Sequence, residues 1–192
     1  PVASVMAAEG VTQTAAEETI ESVVSENEDA VEYASGYTGL ANYGGNVWHY
    51  QVNGTVQWNY TGLVQYYGTW YYVEKSTLNW NYTGLTNYYG TWYYVYKGEL
   101  NWGYSGLIYD KGIWQFVLGG RLNKSYNGLV KHAGDWYYVN QGQVDWTYTG
   151  PVEYYGTTYY IQKGYLNWTY SASIELNGVT YQVKHGVVKK AL

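Results

Sequence analysis

Aliphatic residues recur at fixed positions about every 22 residues between Tyr37 and the C-terminus. Around them, residues vary between aromatic and polar types. A period of about 20–50 residues is typical of stacked supersecondary units that share a core, so we predict that the invariantly aliphatic positions face inward. The first position holds Val73, Val95, Val117, Val139, Ile161 and Val183, the second Leu78, Leu100, Leu122, Val144, Leu166 and Val188, and a third Leu40, Leu63, Leu85, Leu107 and Leu129.

Short β-prone runs lie between glycines in every unit. The runs Trp70–Val73, Trp92–Val95 and Trp136–Val139 combine aromatic and β-branched residues, which favour a pleated, half-buried surface. Two glycines per unit follow short polar stretches, as tight hairpin turns require. Each unit is therefore predicted to be a β-hairpin with a short third strand over Leu100–Trp102 or its equivalent. Because a lone hairpin is marginally stable in water, we predict an all-β fold, a β-solenoid of stacked β-hairpins.

Seven units make up the predicted array over residues 37–192. Counted from the leading tyrosine, they cover 37–59, 60–81, 82–103, 104–125, 126–147, 148–169 and 170–192. The first and last diverge most, as terminal capping units do.

Residues 1–36 differ in composition, with eight acidic residues and no Lys or Arg. An apolar stripe at helical spacing runs through residues 11–34, with Thr14 and Glu17 as a capping box. We expect a short amphipathic helix or an acidic, poorly ordered leader without a ligand role. Val5 and Ala7 stand at the small-residue positions of a secretory cleavage site, and an arbitrary boundary is the alternative explanation of this opening.

Composition excludes several function classes. The chain has no Cys, which removes disulfides, Cys-bound zinc and thiol catalysis. After position 36, seven acidic and ten basic residues give a net charge of +3, without the basic stripe of a nucleic-acid binder. No stretch approaches the roughly 18–20 apolar residues that span a bilayer. Because paired carboxylates, a nucleophile elbow and a phosphate loop are also missing, we expect no enzymatic activity, metal or cofactor.

Tyr and Trp carry the remaining chemistry, with 28 Tyr and 10 Trp against one Phe. Such residues suit surfaces that are apolar on one side and hydrogen-bonding on the other. Polar residues replace them at Lys124, Thr158 and Lys190, and a buried unpaired polar group costs about 1–3 kcal/mol. We therefore predict that the aromatic positions face a ligand. The candidate binding residues are Trp70, Tyr72, Trp80, Tyr82, Trp92, Tyr94, Trp102, Tyr104, Trp136, Tyr138, Trp146 and Tyr148.

At these residues the chain resembles a known group of repeats. The pattern G-[hydrophobic]-V…G-T-W-Y-Y-V…K-G-x-L is similar to the cell-wall-binding repeats of Gram-positive surface proteins. That group includes choline-binding repeats and the glucan-binding repeats of glucosyltransferases and large clostridial toxins. The resemblance covers about residues 37–192 and implies a solenoid of β-hairpins that binds ligands between adjacent units.

One position departs from the family pattern. Choline-binding units usually carry Trp directly after the first glycine, where this chain has Leu63, Leu85, Leu107 or Leu129. The chain instead adds an Asn-Trp-x-Tyr element. Its aromatic residues could rebuild a cage for a cation or form flat platforms for sugar rings.

We therefore expect a non-catalytic, carbohydrate-binding repeat module of a secreted bacterial surface protein. The favoured partner is an α-glucan such as starch or dextran, bound at several weak sites that act together. The alternatives are anchoring to choline or teichoic-acid groups of a cell wall, and a structural spacer or protein-binding adhesin. The sequence leaves the oligomeric state open. We expect the best sites from Trp70 to Tyr104, a poorer one from Trp136 to Tyr148 and a break near Lys124.

Overall fold

The computed structural model describes residues 36–190, so the N-terminal segment with its predicted helix or leader lies outside the described residues. Within 36–190, every regular element is a β-strand, and the 21 strands pair antiparallel. The predicted all-β fold class, a β-solenoid of hairpins that repeat about every 22 residues, is confirmed.

Each repeat contributes three strands, numbered in chain order. The first strands are β1 (Gly39–Asn42), β4 (Gly62–Tyr66), β7 (Gly84–Tyr88), β10 (Gly106–Asp110), β13 (Gly128–His132), β16 (Gly150–Tyr154) and β19 (Ala172–Leu176). The middle strands are β2 (Trp48–Val52), β5 (Thr69–Glu74), β8 (Thr91–Tyr96), β11 (Ile113–Leu118), β14 (Asp135–Asn140), β17 (Thr157–Gln162) and β20 (Val179–Lys184). The short third strands are β3 (Thr55–Val56), β6 (Thr77–Leu78), β9 (Glu99–Leu100), β12 (Arg121–Leu122), β15 (Gln143–Val144), β18 (Tyr165–Leu166) and β21 (Val187–Lys190).

The chain divides into two compact units. Of the described residues, the first unit comprises those up to Gly90 together with Val95–Leu100, and the second comprises Thr91–Tyr94 and those from Asn101 onward. In the first unit, β5 pairs with β4, β6 and β9. In the second unit, β11 pairs with β10, β12 and β15, and β14 pairs with β13, β15 and β18. Each of these middle strands thus bonds both strands of its own repeat and the third strand of the following repeat.

The predicted aliphatic positions form the core of each unit. Leu40 and Leu63 are buried in the first unit, as Leu107 and Leu129 are in the second. The middle-strand position has no exposed surface at Val73, Val95, Val117, Val139 and Ile161. Two residues that were predicted to lie in the core, Leu122 and Val188, are only half-buried. For Val188, strand β21 is the last strand of the described chain, and no later repeat packs against it there.

Both tight turns of a repeat have a left-handed backbone, as the glycine positions predict. In the turn after β4, Tyr67 and Gly68 have φ of 44° and 79°. In the turn after β8, Lys97 and Gly98 have φ of 49° and 78°. Positive φ at both central residues defines the type I′ turn, whose twist matches that of a β-hairpin.

The predicted third strand is wrong by two residues, because β9 ends at Leu100 and Trp102 lies in a turn. The Tyr104 N–H donates to the Asn101 carbonyl at 3.4 Å, which closes this turn. In the previous repeat, the Asn81 N–H donates to the Asn79 side-chain oxygen at 3.0 Å. Asn side chains compete with strand hydrogen bonds in this way, and the turn leaves the following Trp on the surface.

Candidate functional site

The structure divides the twelve candidate residues by exposure. Trp80, Trp102 and Trp146 are exposed, whereas Trp70, Tyr72 and Tyr94 are buried. The buried position of these three residues differs from the expectation that the recurring aromatic positions lie outside the core. The other six candidates are half-buried: Tyr82, Trp92, Tyr104, Trp136, Tyr138 and Tyr148.

Two series of tyrosines pack against each other inside each unit. Tyr72 stacks on Tyr82 with ring centroids 3.7 Å apart and an interplanar angle of 18°. Tyr94 and Tyr104 are 4.7 Å apart. Offset stacking of aromatic rings is a favoured packing geometry, which explains why these positions are aromatic without a ligand.

The hydroxyl of the leading tyrosine is also occupied. Tyr82 donates to the Leu85 carbonyl at 2.8 Å, and Tyr104 donates to the Leu107 carbonyl at 2.6 Å. In the second unit, Tyr148 makes the same bond to the Pro151 carbonyl at 2.7 Å. We infer that the structural role of these tyrosines accounts for their recurrence.

The glycine two residues after this tyrosine lies beneath its ring. A Cβ on Gly106 would lie 3.4 Å from the Tyr104 hydroxyl, and one on Gly62 would lie 3.1 Å from the Tyr60 hydroxyl. Gly62 also has φ of 157°, a conformation that glycine adopts most readily. The Tyr-x-Gly spacing is thus a packing motif.

Four of the exposed tryptophans each pair with a tyrosine that sequence reasoning missed, and a fifth pairs with a histidine. Trp80 packs edge-on against Tyr71, with centroids 5.7 Å apart and an angle of 78°. Trp102 packs against Tyr93 at 5.6 Å and 77°. In the second unit Trp146 pairs with Tyr137 at 5.9 Å and Trp168 with Tyr159 at 5.8 Å, and in the first unit Trp58 pairs with His49 at 5.0 Å.

A residue of the following repeat lies opposite the middle-strand member of each ring pair. Strand register places Glu99 opposite Tyr71 and Arg121 opposite Tyr93. We call the residue at this register position the apex residue, because at Arg121 its side chain lies near both rings of the pair. We call the ring pair and its apex residue a turn site. Going along the chain, the apex residues are Thr77, Glu99, Arg121, Gln143, Tyr165 and Val187.

Arg121 shows what a turn site can hold. Its guanidinium carbon lies 5.5 Å from the centre of the Trp102 ring and 5.8 Å from the centre of the Tyr93 ring. Its Nε and Nη2 atoms are buried and donate to no oxygen. Because a cation over an aromatic face is attracted by the ring quadrupole, the ring pair compensates for these missing hydrogen bonds.

In the second unit, the site of Trp146 has an aromatic apex. Tyr165 lies 5.2 Å from Trp146 and 5.3 Å from Tyr137, so three rings converge. The preceding repeat has no such ring pair, because Gln115, Lys124 and Gln143 occupy the equivalent positions. The sequence anticipates this difference at Lys124.

A second exposed aromatic feature lies at the hairpin tips. Tyr67, Tyr89 and Tyr155 expose 77%, 78% and 90% of their surface. Each sits at the first central position of a type I′ turn and packs edge-on against the tyrosine before it, at 4.5–4.6 Å. In the first unit, Tyr88 in turn packs on Trp70 at 5.1 Å.

Burial keeps the interior tyrosines protonated. It raises the pKa of Tyr60 well above the usual range of a phenol, with the neighbouring Tyr50, Tyr88 and Tyr89 adding to the shift. Burial likewise raises the pKa of Tyr104. At the first turn site, burial lowers the pKa of His49 despite a hydrogen bond with Ser76 that raises it, so this imidazole is neutral at pH 7 and does not repel a cation.

Among residues 36–190 there is no group of His, Asp and Glu that could hold a metal ion. The same residues include no helix of the length and hydrophobicity that a membrane crossing needs.

Comparison with known proteins identifies related repeats. A family model described as the choline-binding repeat matches five successive segments, 59–79, 81–100, 103–123, 125–145 and 147–167. The chain resembles the crystal structure of choline binding protein F from Streptococcus pneumoniae, with 22% identity, a TM-score of 0.33, and coverage of 80% of this chain and 52% of that one. No curated protein sequence gives a match.

Two other solved structures are similar at the same level. Alternansucrase in complex with isomaltotriose has 19% identity, a TM-score of 0.36, and coverage of 80% of this chain and 12% of its own. CbpF in complex with ipratropium has 20% identity, a TM-score of 0.32, and coverage of 80% and 54%. The chain thus spans about half or less of the structures it matches.

Proposed function

Because the chain belongs to the choline-binding repeat family, we propose that it is a non-catalytic cell-surface module that binds a polymer through small organic cations such as choline groups. The ring pairs of the turn sites are the proposed contacts. This choice reverses the order of preference that the sequence alone favours, in which an α-glucan comes first.

One observation carries the proposal, namely the position of Arg121. Its guanidinium lies within 6 Å of two ring centres in a site that has counterparts along the chain. A quaternary ammonium group carries the same charge and offers no N–H donors, so it suits a site where Nε and Nη2 also find no oxygen acceptor. A neutral sugar would lack this attraction.

Several weak sites on one chain would add up on a polymer. A single cation–π site is worth about 0.5–2 kcal/mol per ring contact, which corresponds to weak binding of an isolated choline. A polymer with many choline groups engages several turn sites at once, and the second contact then benefits from a high effective concentration. The repeat architecture therefore suits attachment to a cell-wall polymer.

We expect the protein to bind a resin that carries quaternary amines and to elute with free choline. The net charge of −5 would by itself favour such a resin, so elution by choline is compared with elution by the same concentration of sodium chloride. The double variant Trp80→Ala/Trp146→Ala should elute earlier with choline, since it lacks two exposed rings. Equal elution by choline and sodium chloride would contradict the proposal.

A second candidate function rests on the hairpin tips. Type I′ turns favour Asn before Gly because both central residues need positive φ, yet Tyr67 and Tyr89 occupy this position with φ of 44° and 46°. A bulky residue in this conformation is uncommon and costs free energy, and such strain tends to occur at functional sites. An exposed, rigid phenol ring suits stacking against the face of a sugar.

The tip variant Tyr67→Asn/Tyr89→Asn tests this candidate. Because Asn is favoured at the position, the free energy of unfolding should stay the same or rise. Migration in gels that contain starch or dextran should become faster than that of the wild-type protein if the tips bind α-glucan. If neither starch nor dextran slowed the migration of the wild-type protein, glucan binding by the tips would be ruled out.

A further inference from the structure

We infer that the apex residue decides which turn sites accept an external cation. Glu99 leaves the Tyr71/Trp80 site open and attractive to a cation, whereas Arg121 closes the Tyr93/Trp102 site by occupying it. This inference rests on the proposed function and assigns a specificity-determining role to one position per repeat.

The two sites form a matched pair. Tyr71 and Trp80 are 5.7 Å apart at 78°, and Tyr93 and Trp102 are 5.6 Å apart at 77°. In the antiparallel register, Tyr71 lies opposite Glu99, the first residue of β9. Tyr93 lies opposite Arg121, the first residue of β12, in the same way. The ring geometry is therefore the same, and the side chain at the apex is the main difference.

Burial shows that Arg121 fills its site. Tyr93 exposes only 5% of its surface, whereas Tyr71 and Tyr137, its counterparts in other repeats, are half-buried. Arg121 is itself half-buried, whereas Glu99 is exposed. The Arg121 side chain thus covers the ring that an external cation would need to contact.

A tethered cation has an advantage over a free one. Because Arg121 is attached to the strand next to Tyr93, its effective concentration at the rings is on the order of millimolar or more. A free choline with millimolar affinity must displace it and leave the guanidinium without its ring contacts. The Tyr93/Trp102 site should therefore stay closed to choline at concentrations that fill other sites.

Glu99 has the opposite effect at the equivalent position. Glu99 is exposed and lies opposite Tyr71 in the strand register, and a negative charge at this position favours a cation near the ring pair. It cannot itself bind the faces of the rings as a cation does. The Tyr71/Trp80 site should then favour a small organic cation over a neutral sugar.

The indole N–H signals of Trp80 and Trp102 in a proton–nitrogen NMR spectrum report on the two sites separately, once Trp80→Phe and Trp102→Phe variants have assigned them. Choline chloride is added to the 192-residue protein up to about 100 mM, well above a millimolar affinity. We expect the Trp80 signal to shift and saturate, and the Trp102 signal to stay unsaturated.

Exchange of the apex residues should exchange these responses. Arg121→Glu should make the Trp102 signal saturate with a millimolar midpoint, and Glu99→Arg should weaken the response of Trp80 at least about tenfold. Arg121→Thr is a second opening variant, because Thr77 occupies the apex position in an earlier repeat and is compatible with the strand. Lys184→Glu makes the same charge change as Arg121→Glu at an exposed residue three repeats further on.

The possible results distinguish a failure of the proposed function from a failure of the apex inference alone. If no indole signal responds to choline in any variant, the proposed function fails and this inference with it. If Trp80 responds but Trp102 responds equally in the wild-type protein, or stays silent in both Arg121 variants while these remain folded, only the apex inference fails. A gain at Trp102 with Lys184→Glu would also overturn it, since net charge would then explain the effect.

Discussion

Replacement of Gly98 by Ala should lower the free energy of unfolding by about 3 kcal/mol, whereas replacement of Gly68 by Ala should cost only about 1 kcal/mol. Both glycines end a type I′ turn in the first compact unit, with φ of 78° and 79°. The strain of placing Ala in a left-handed conformation is therefore the same in both variants. The difference of about 2 kcal/mol arises from the surroundings.

The surroundings of Gly98 leave no room for a methyl group. A Cβ there would lie 2.8 Å from the Asn79 carbonyl oxygen and 2.9 Å from the Trp80 Cα, both backbone atoms, whereas one on Gly68 would meet nothing within 4 Å. Gly98 also connects two repeats, because its N–H donates to the Tyr82 carbonyl at 2.9 Å and its carbonyl accepts from the Tyr72 N–H at 2.8 Å. A methyl group would push these repeats apart.

Ser76 shows how one repeat accommodates a side chain at this junction. It has φ of 69°, is fully buried, and its hydroxyl donates to the Tyr50 carbonyl at 3.1 Å. Gly98→Ser should therefore be less destabilising than Gly98→Ala, since it can make the equivalent bond to the Tyr72 carbonyl. Urea unfolding measures all three variants, and equal losses for Gly98→Ala and Gly68→Ala would contradict the role of the junction.

The sequence predicts the repeated hairpin because the aliphatic period and the turn glycines are local features. It does not distinguish the two kinds of turn, since Gly68 and Gly98 follow similar polar stretches and have almost the same φ. Their different roles depend on backbone that comes from another repeat. The same limit explains the misplaced third strand, where the turn at Asn101 interrupts an otherwise strand-like run.

The site could be predicted only in part for a related reason. The sequence singles out Trp80 and Trp102, because a recurring Trp is conspicuous. It does not single out Tyr71 or its counterparts, since a Trp-Tyr-Tyr-Val run gives no sign of which tyrosine faces a surface tryptophan. The sequence indicates the apex residue even less, because only the strand register brings Glu99 opposite Tyr71.

A comparison of Trp70→Ala with Trp80→Ala should separate packing from binding among the candidate residues. Trp70 is 9% exposed and packs on Tyr88 at 5.1 Å, so its removal should lower the free energy of unfolding by about 3–5 kcal/mol. Trp80 is 38% exposed and contacts Tyr71 edge-on. Its removal should cost only about 1 kcal/mol, the worth of such a ring pair.

The two variants should rank in the opposite order when the stabilisation by choline is compared. A ligand that binds only the folded state adds RT ln(1 + [L]/Kd) per site, about 1.4 kcal/mol at ten times the dissociation constant. Trp70→Ala should keep the whole increment that choline gives the wild-type protein, because the ring lies beneath the surface. Trp80→Ala should lose the part of this stabilisation that comes from one site, because only the Tyr71 ring of the pair remains to contact a cation.

Urea unfolding with and without choline measures both quantities, with sodium chloride at the same concentration as the control. If Trp70→Ala reduced the increment as much as Trp80→Ala does, ligand contact could not be assigned to the turn tryptophans, and the buried ring would have to belong to the binding site.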